Sequence, residues 1–249
     1  MSAAHELQPP SRVVPRPRAA PQGSPVARTL LKGFFTFYYR YAALLNRAMP
    51  HITLEGKRLW VPPRVYKPLE NEHRFRDFVR PGERVCDLGC GAGTVAVFCG
   101  EVAGSVLALD LSPDALEATR RNCEAHGLAN VEVRASDMFA AAEGDFDVIC
   151  ANPPFVEIPM SGAGQQWATS VTFLDRLFAE GSRRLREGGR IVALYPKRKE
   201  SRLEALARPH GLHLVETRPI GPKSVKHWLV CALYMELFFG AQFHVFERR

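Results

Sequence analysis

From residue 84 to residue 195, short, mostly apolar segments of five or six residues alternate with longer stretches in which apolar side chains recur every three or four positions. Short continuous runs suit strands covered on both faces, and the periodic stretches suit helices packed against them. The pattern predicts strands near 84–88, 105–109, 131–135, 146–151 and 190–195, with helices near 93–102, 113–126 and 170–186. Ser112-Pro113 gives the second helix a capping hydroxyl and a proline in its first turn, and Gly127 ends it. Two more strands are expected at 213–216 and 227–237. Strand and helix alternating in this way predict an α/β fold with a doubly wound sheet.

Upstream, Leu31, Phe34, Phe35, Tyr38, Ala42, Leu45 and Met49 recur at helical intervals from Arg28 to Met49, and Pro50 stops the pattern. His51 to Val61 reads as a short hairpin turning at Glu55-Gly56. Residues 1–27 hold six prolines and little apolar content, so burial does not offset their ordering entropy and a mobile arm is expected. The predicted organisation is therefore an arm over 1–27, a helix-and-hairpin cap over 28–80, an α/β domain over 81–240 and a tail over 241–249.

Composition sharpens this picture in two places. Residues 1–80 carry fourteen Lys/Arg against five Asp/Glu, while the remaining 169 carry nineteen against twenty-one, so the net charge of +7 belongs to the N-terminal part. That part offers a packed cap, a surface for RNA or an acidic protein, or a seat on anionic lipid, and composition does not separate the three. The six cysteines include no Cys-x-x-Cys pair, and Cys86 and Cys90 span a strand and a loop, so no metal site is expected. No run approaches the ~20 apolar residues of a membrane span, and no secretory signal is evident, so a soluble cytoplasmic chain with reduced thiols is expected.

Candidate chemistry gathers at the ends of the predicted strands. Asp87-Leu88-Gly89-Cys90-Gly91-Ala92-Gly93 is a strand running into a turn whose glycines let a ligand approach the backbone closely. Asp110 ends the next strand, where a carboxylate can accept both hydroxyls of a ribose. Asp137 follows the third strand, where an acid can accept from an adenine amino group beside Met138 and Phe139. Asn152-Pro153-Pro154-Phe155 follows the fourth: an amide, outward carbonyls in a chain stiffened by two prolines, and an aromatic plate. A planar NH2 group fits such a set.

Taken together, these residues resemble a class I S-adenosylmethionine-dependent methyltransferase of the Asn-Pro-Pro-(Phe/Tyr) amino-methylating group, over roughly 65–237. The resemblance implies a Rossmann-like, mostly parallel seven-stranded sheet with one antiparallel strand. It also implies that Asp87, Gly89, Gly91 and Gly93 hold the methionine part of the cofactor S-adenosyl-L-methionine, Asp110 the ribose and Asp137 the adenine. Within that group, Val65-Tyr66-Lys67-Pro68-Leu69-Glu70-Asn71-Glu72 is similar to the segment before the cofactor loop in release-factor glutamine methyltransferases, and departs from their Tyr-x-Pro-x-Glu-Asp-Thr after Glu70.

The expected activity is N-methylation of a planar nitrogen in a protein glutamine, an RNA base or a small metabolite, with Asn152, Pro153 and Phe155 as the catalytic set. Tyr66, Glu70, Glu157 and Trp167 are the candidate substrate residues, Glu70 and Glu157 as possible bases and Trp167 as a cover on a glycine-rich loop. His73, Lys223, Lys226 and His227 suit either a substrate mouth or a solvated face. The alternative is a noncatalytic partner-binding module that retains the fold.

Overall fold

The computed structural model describes residues 25–69, 71–156, 172–221, 224–235 and 240–248; the expected arm lies almost wholly outside them, as do Glu70, Glu157, Trp167 and Lys223. Helix α1 (Pro25–Ala48) begins the described chain, followed by a hairpin of β1 (His51–Leu54) and β2 (Lys57–Trp60) turning at Glu55-Gly56, both at positive φ. A 3-10 segment, Glu72–Phe78, leads into β3 (Arg84–Leu88), α2 (Thr94–Gly100), β4 (Ser105–Asp110), α3 (Pro113–Ala125), β5 (Val131–Ala135) and β6 (Phe146–Ala151). Next come α4 (Phe173–Gly181), β7 (Leu185–Pro196), α5 (Glu200–Ala207), β8 (Leu212–Pro219), α6 (Val225–Leu233) and β9 (Ala241–Arg248).

The large sheet runs β5-β4-β3-β6-β7-β9-β8, with β3 to β7 parallel and β9 antiparallel to both neighbours. Strand order reverses between β3 and β6, so a crevice opens beyond their C-terminal ends. Side chains alternate across the sheet into two cores. Val85, Val148, Val192 and Phe243 face one side, and Cys86, Ile149, Ile191 and Phe246 face the other under α4 and α5. Leu59, Phe75 and Phe78 belong to the first core, so hairpin and 3-10 segment are built into the α/β domain rather than resting on it.

Three expectations change. The apolar stretch 227–237, expected as a strand, forms α6 over Val225–Leu233, started by the Ser224 hydroxyl accepting from the His227 amide at 3.1 Å. The sheet is completed instead by Ala241–Arg248, expected as a tail: β9 is inserted between β7 and β8, and Phe243 and Phe246 are fully buried. Among the described residues, the helix expected over 170–186 is Phe173–Gly181 with a 3-10 turn over Ser182–Arg184, because β7 already begins at Leu185 and takes Gly188 at φ +70° within it. All six cysteines are free and buried.

α1 covers the domain with one face. Phe35, Tyr38 and Tyr39 pack near Val156 and Met235, Asn46 donates to the Val65 carbonyl at 2.8 Å, and Tyr234 donates to Asn46 Oδ1 at 3.0 Å. Lys67 Nζ donates to the Met49 carbonyl, and burial pushes that amine down to about 8. The helix is thus locked to the segment that carries Tyr66.

Candidate functional site

The strand register brings the candidate residues together. Leu88 pairs with Leu109 on one side and Ala151 on the other, so the next residues, Gly89, Asp110 and Asn152, sit level across three adjacent strands about 5 Å apart. Gly89 and Cys90 donate to the Leu109 carbonyl at 2.8 and 3.0 Å, Gly91 donates to Asp110 Oδ2 at 3.0 Å, and Gly93 donates to the Cys90 carbonyl at 2.7 Å. With these amides engaged inside the protein, the loop is a smooth cradle and not a nest of donors for phosphate.

The glycines divide by role. A Cβ on Gly93 would lie 2.8 Å from Thr119 Cα, so this glycine permits α2 and α3 to approach. At Gly89 and Gly91, a Cβ would meet nothing closer than 3.8 Å, the nearest atoms being the Phe173 ring and the Gly89 carbonyl respectively. Neither contact is closer than ordinary van der Waals distance, and Phe173, which no sequence pattern marked, lies against Gly89.

The three acids also differ. Asp87 is 2% exposed and accepts from the Ala96 amide at 3.0 Å, so it seats the start of α2 and holds the loop from beneath instead of reaching the crevice. Burial pushes its carboxyl up to about 7, opposed by the Ala96 N–H and aided by nearby Asp110. The place a pyrophosphate takes at a helix N-terminus is therefore held by a carboxyl group. Asp110 ends β4, accepts from Gly91 and, at 2.8 Å, from the Ser112 amide, and burial raises its pKa against those bonds. Asp137 is exposed and paired with Arg176 at 2.6 Å, while Met138 and Phe139 point into the core and do not flank a ligand beside it. The expected adenine seat is thus an acid at the rim without its two apolar walls.

Asn152 follows the last residue of β6. Its Nδ2 donates to Glu72 Oε1 at 3.3 Å, and its Oδ1 is buried with no hydrogen-bond partner among the described residues. Only the NH2 end of an amide can face a carboxylate oxygen, so the contact with Glu72 fixes which end of Asn152 remains as an acceptor. Phe155 is 6% exposed, with the Tyr66 ring edge-on at 6.5 Å and the Tyr195 ring at 6.3 Å. Lys199 Nζ donates to the Phe155 carbonyl at 3.0 Å, which holds the end of the turn. Glu72 follows the Tyr66-to-Glu70 segment and was missed as a site residue because only the fold places it beside Asn152.

Of the predicted set, the structure brings together Gly89, Gly91, Asp110, Asn152, Pro153, Phe155 and Tyr66 at one end of the sheet. His73 is buried under the hairpin, with Nε2 3.3 Å from Glu55, and His227 lies against the Leu69 carbonyl at 2.8 Å. Among the described residues, no cluster of His, Cys, Asp and Glu suits a metal ion, and no helix is long and apolar enough to cross a membrane.

Residues 75–209, more than half of the chain, match the family described as methyltransferase small domain. The chain is 40% identical over 111 residues to ribosomal RNA small subunit methyltransferase C of Chromohalobacter salexigens, covering 45% of this chain and 31% of that protein. It is 42% identical over 78 residues to release factor glutamine methyltransferase of Xylella fastidiosa, covering 30% of this chain and 28% of that one. The chain thus spans about a third of the length of these relatives. A methyltransferase from Pyrococcus furiosus shares the fold at a TM-score of 0.54 and 19% identity, covering 89% of this chain and 96% of that one.

Proposed function

Because the chain belongs to the methyltransferase small domain family, we propose that it methylates a planar nitrogen, with Asn152, Pro153 and Phe155 as the acceptor site. The cofactor is S-adenosyl-L-methionine. The loop fits it: Gly89 and Gly91 keep its surface free of side chains without close contacts, its amides are turned inward, and Asp110 stands at the level where a ribose would lie. In this reading Gly89, Gly91 and Asp110 touch the cofactor, Gly93 and Asp87 shape the loop that holds it, and Asp137 meets the adenine edge from the rim. The bound cofactor supplies a methyl group already activated by a sulfonium.

What remains for the protein is placement. Asn152 Oδ1 and the Pro153 carbonyl each accept one N–H of the incoming NH2 group, which turns its lone pair toward the cradle and stabilises positive charge growing on nitrogen. Phe155, held between Tyr66 and Tyr195, offers a face to the planar group. Positioning of this kind supplies roughly 7–11 kcal/mol in favourable cases. The methylated nitrogen is acidic enough to release its proton to water or a carbonyl, so no dedicated base is required. Glu72 acts through Asn152 as a positioning residue.

The single observation that carries the reading is the buried, unpartnered Asn152 Oδ1 with its Nδ2 tied to Glu72. A retained fold without catalysis gains nothing from an unused buried acceptor, which costs about 1–3 kcal/mol. The relatives' names speak of ribosomal RNA and of a release-factor glutamine. For this chain a protein glutamine, an RNA base and a small metabolite all offer the required NH2. Transfer of tritiated methyl into RNA, protein and metabolite fractions identifies the acceptor class; label undiminished by Asn152→Ala refutes the site, and cofactor binding without transfer to any fraction restores the noncatalytic alternative.

A further inference from the structure

Among the described residues, thirteen large hydrophobic side chains are exposed, and ten of them lie on just two helices, α1 and α6. On α1 they are Val26, Leu30, Leu31, Phe34, Phe37 and Leu44, with Leu30 69% and Phe37 60% exposed. Leu30, Phe34, Phe37, Tyr41 and Leu44 follow steps of four, three, four and three, a straight stripe on the face opposite the one buried by Phe35, Tyr39, Ala42 and Asn46. Tyr41 stacks with Phe37 at 6.0 Å and donates to the Leu233 carbonyl at 2.9 Å, which joins the stripe to α6. There Val225, Trp228, Leu229 and Leu233 are exposed in turn.

The charges on these two helices have one sign, and on α1 it is Arg40 and Arg47 that border the stripe, Arg28 and Lys32 lying on the register of Phe35 and Tyr39. α1 contains Arg28, Lys32, Arg40 and Arg47 and no Asp or Glu, and α6 contains Lys226 and no acid. Exposed apolar area of this extent marks a binding surface. Two copies docked through it would bring like charges together in a self-complementary interface with no carboxylate to pair them. RNA would use the cations and the rings, but Val26, Leu30, Leu44, Leu229 and Leu233 give it nothing to stack on. A single acidic helix would cover the α1 stripe and leave α6 bare.

We propose that the outer face of α1 and α6 docks on an anionic lipid bilayer, lying in the interface with its apolar side chains inserted and Arg40 and Arg47, which flank the stripe on α1, at the headgroups. All four features of the two helices are then used: a broad apolar area, an aromatic belt of Phe34, Phe37 and Trp228, the long cationic side chains of Arg40 and Arg47 that reach phosphates, and the absence of acids within α1 and α6. The inner face of the same helix packs near Val156, the residue after Phe155, so the bilayer would lie behind the wall of the acceptor site.

The full chain is to be sedimented with phosphatidylglycerol vesicles and with phosphatidylcholine vesicles. Binding to the anionic vesicles at least tenfold tighter than to the neutral ones is expected, with a blue shift of tryptophan emission that Trp228→Phe removes. Leu30→Asp/Phe37→Asp should weaken sedimentation tenfold or more with melting temperature and cofactor binding unchanged, and Arg40→Glu/Arg47→Glu should abolish the preference for anionic lipid. The proposal is overturned if the chain sediments with neither vesicle or if Leu30→Asp/Phe37→Asp binds like wild type. It is equally overturned if light scattering finds a dimer that this double variant dissolves, or if RNA binding that the variant abolishes occurs without vesicle binding. Methyl transfer is a separate readout, so loss of lipid binding leaves the acceptor-site reading intact.

Discussion

Asn152 and Glu72 are 80 residues apart in sequence, yet the Asn152 amide NH2 lies 3.3 Å from a Glu72 carboxylate oxygen, and Glu72 is 3% exposed. The carboxylate acts as a key for the amide: it accepts only, so the oxygen end of Asn152 must face the other way. On the proposed role, Asn152→Ala should lower kcat by about 10²- to 10³-fold, the cost of losing one preorganised partner of a developing charge. Glu72→Gln presents both an acceptor and a donor, so the amide is no longer held in one sense. A drop in kcat of about 10- to 100-fold is expected with KM for the cofactor unchanged. Steady-state kinetics on both variants checks this, and a Glu72→Gln enzyme with wild-type kcat removes the positioning role.

The glycine cradle gives a second pair of contrasting variants. Gly93→Ala drives a methyl to within 2.8 Å of Thr119 Cα at a residue with φ +74°, so it should lower stability by about 1–3 kcal/mol or more, read as a fall in melting temperature. Gly91→Ala meets nothing closer than 3.9 Å, and its strain at φ +54° is that of one left-handed residue. Its effect should appear mainly as weaker cofactor binding, measured by calorimetry. Equal losses of stability and affinity in both variants would mean that Gly91 does not face the ligand.

Most of the site was legible because its parts are local. A strand, a glycine turn and an acid at the next strand end are written in consecutive residues, and Asn152 announces itself through the two prolines that follow it. The remainder depends on contacts that sequence does not display. Phe173 and Glu72 reach the crevice only after the sheet has formed, and the inward turn of Asp87 follows from its hydrogen bond to Ala96. The exchange of α6 for a strand has another cause: 227–237 is apolar nearly throughout, so periodicity is silent, and the deciding signal was the capping Ser224. β9 was misread because the polar residues Gln242 and His244, both buried, interrupt its apolar pattern. Each has a tertiary partner, Gln242 Nε2 donating to Glu200 at 2.7 Å and His244 Nε2 lying 3.3 Å from the Tyr195 carbonyl.

Asp87 makes stability depend on pH in a defined sense. Burial pushes its carboxyl up from 3.8 to about 7, so between about pH 4 and pH 7 the folded chain keeps a proton that the unfolded chain has lost. The folded state binding more protons means that stability falls as pH rises through that window, by at most ~1.4 kcal/mol per pH unit for this group. Asp87→Asn keeps an oxygen for the Ala96 amide and has no proton to lose. Its melting temperature should therefore gain on wild type from pH 4 to pH 7, with the difference constant above that; Asp110, raised in the same direction, contributes its own slope in both proteins. Parallel curves across the whole range would place the Asp87 pKa at its ordinary value.

Arg190 carries the last prediction, because it ties the sheet to the segment that supplies Glu72. It is 6% exposed, lies on β7 and grips Glu83 with two parallel contacts, Nη1 to Oε1 at 3.0 Å and Nη2 to Oε2 at 2.7 Å, while its Nε donates to the Phe78 carbonyl at 2.9 Å. Phe78 closes the 3-10 segment that Glu72 opens. Removing one member of a buried ion pair strands the other, so Glu83→Gln and Arg190→Met should each cost about 3–5 kcal/mol in denaturant unfolding. The double variant should cost less than the sum of the two by at least ~1 kcal/mol, since no charge is then left alone. Arg190→Met should also lower kcat, because freeing the Phe78 end loosens the turn whose other end orients Asn152, whereas Glu83→Gln keeps the Phe78 contact and should spare kcat. Additive stabilities, or equal kcat losses in the two single variants, would break the link between this ion pair and the acceptor site.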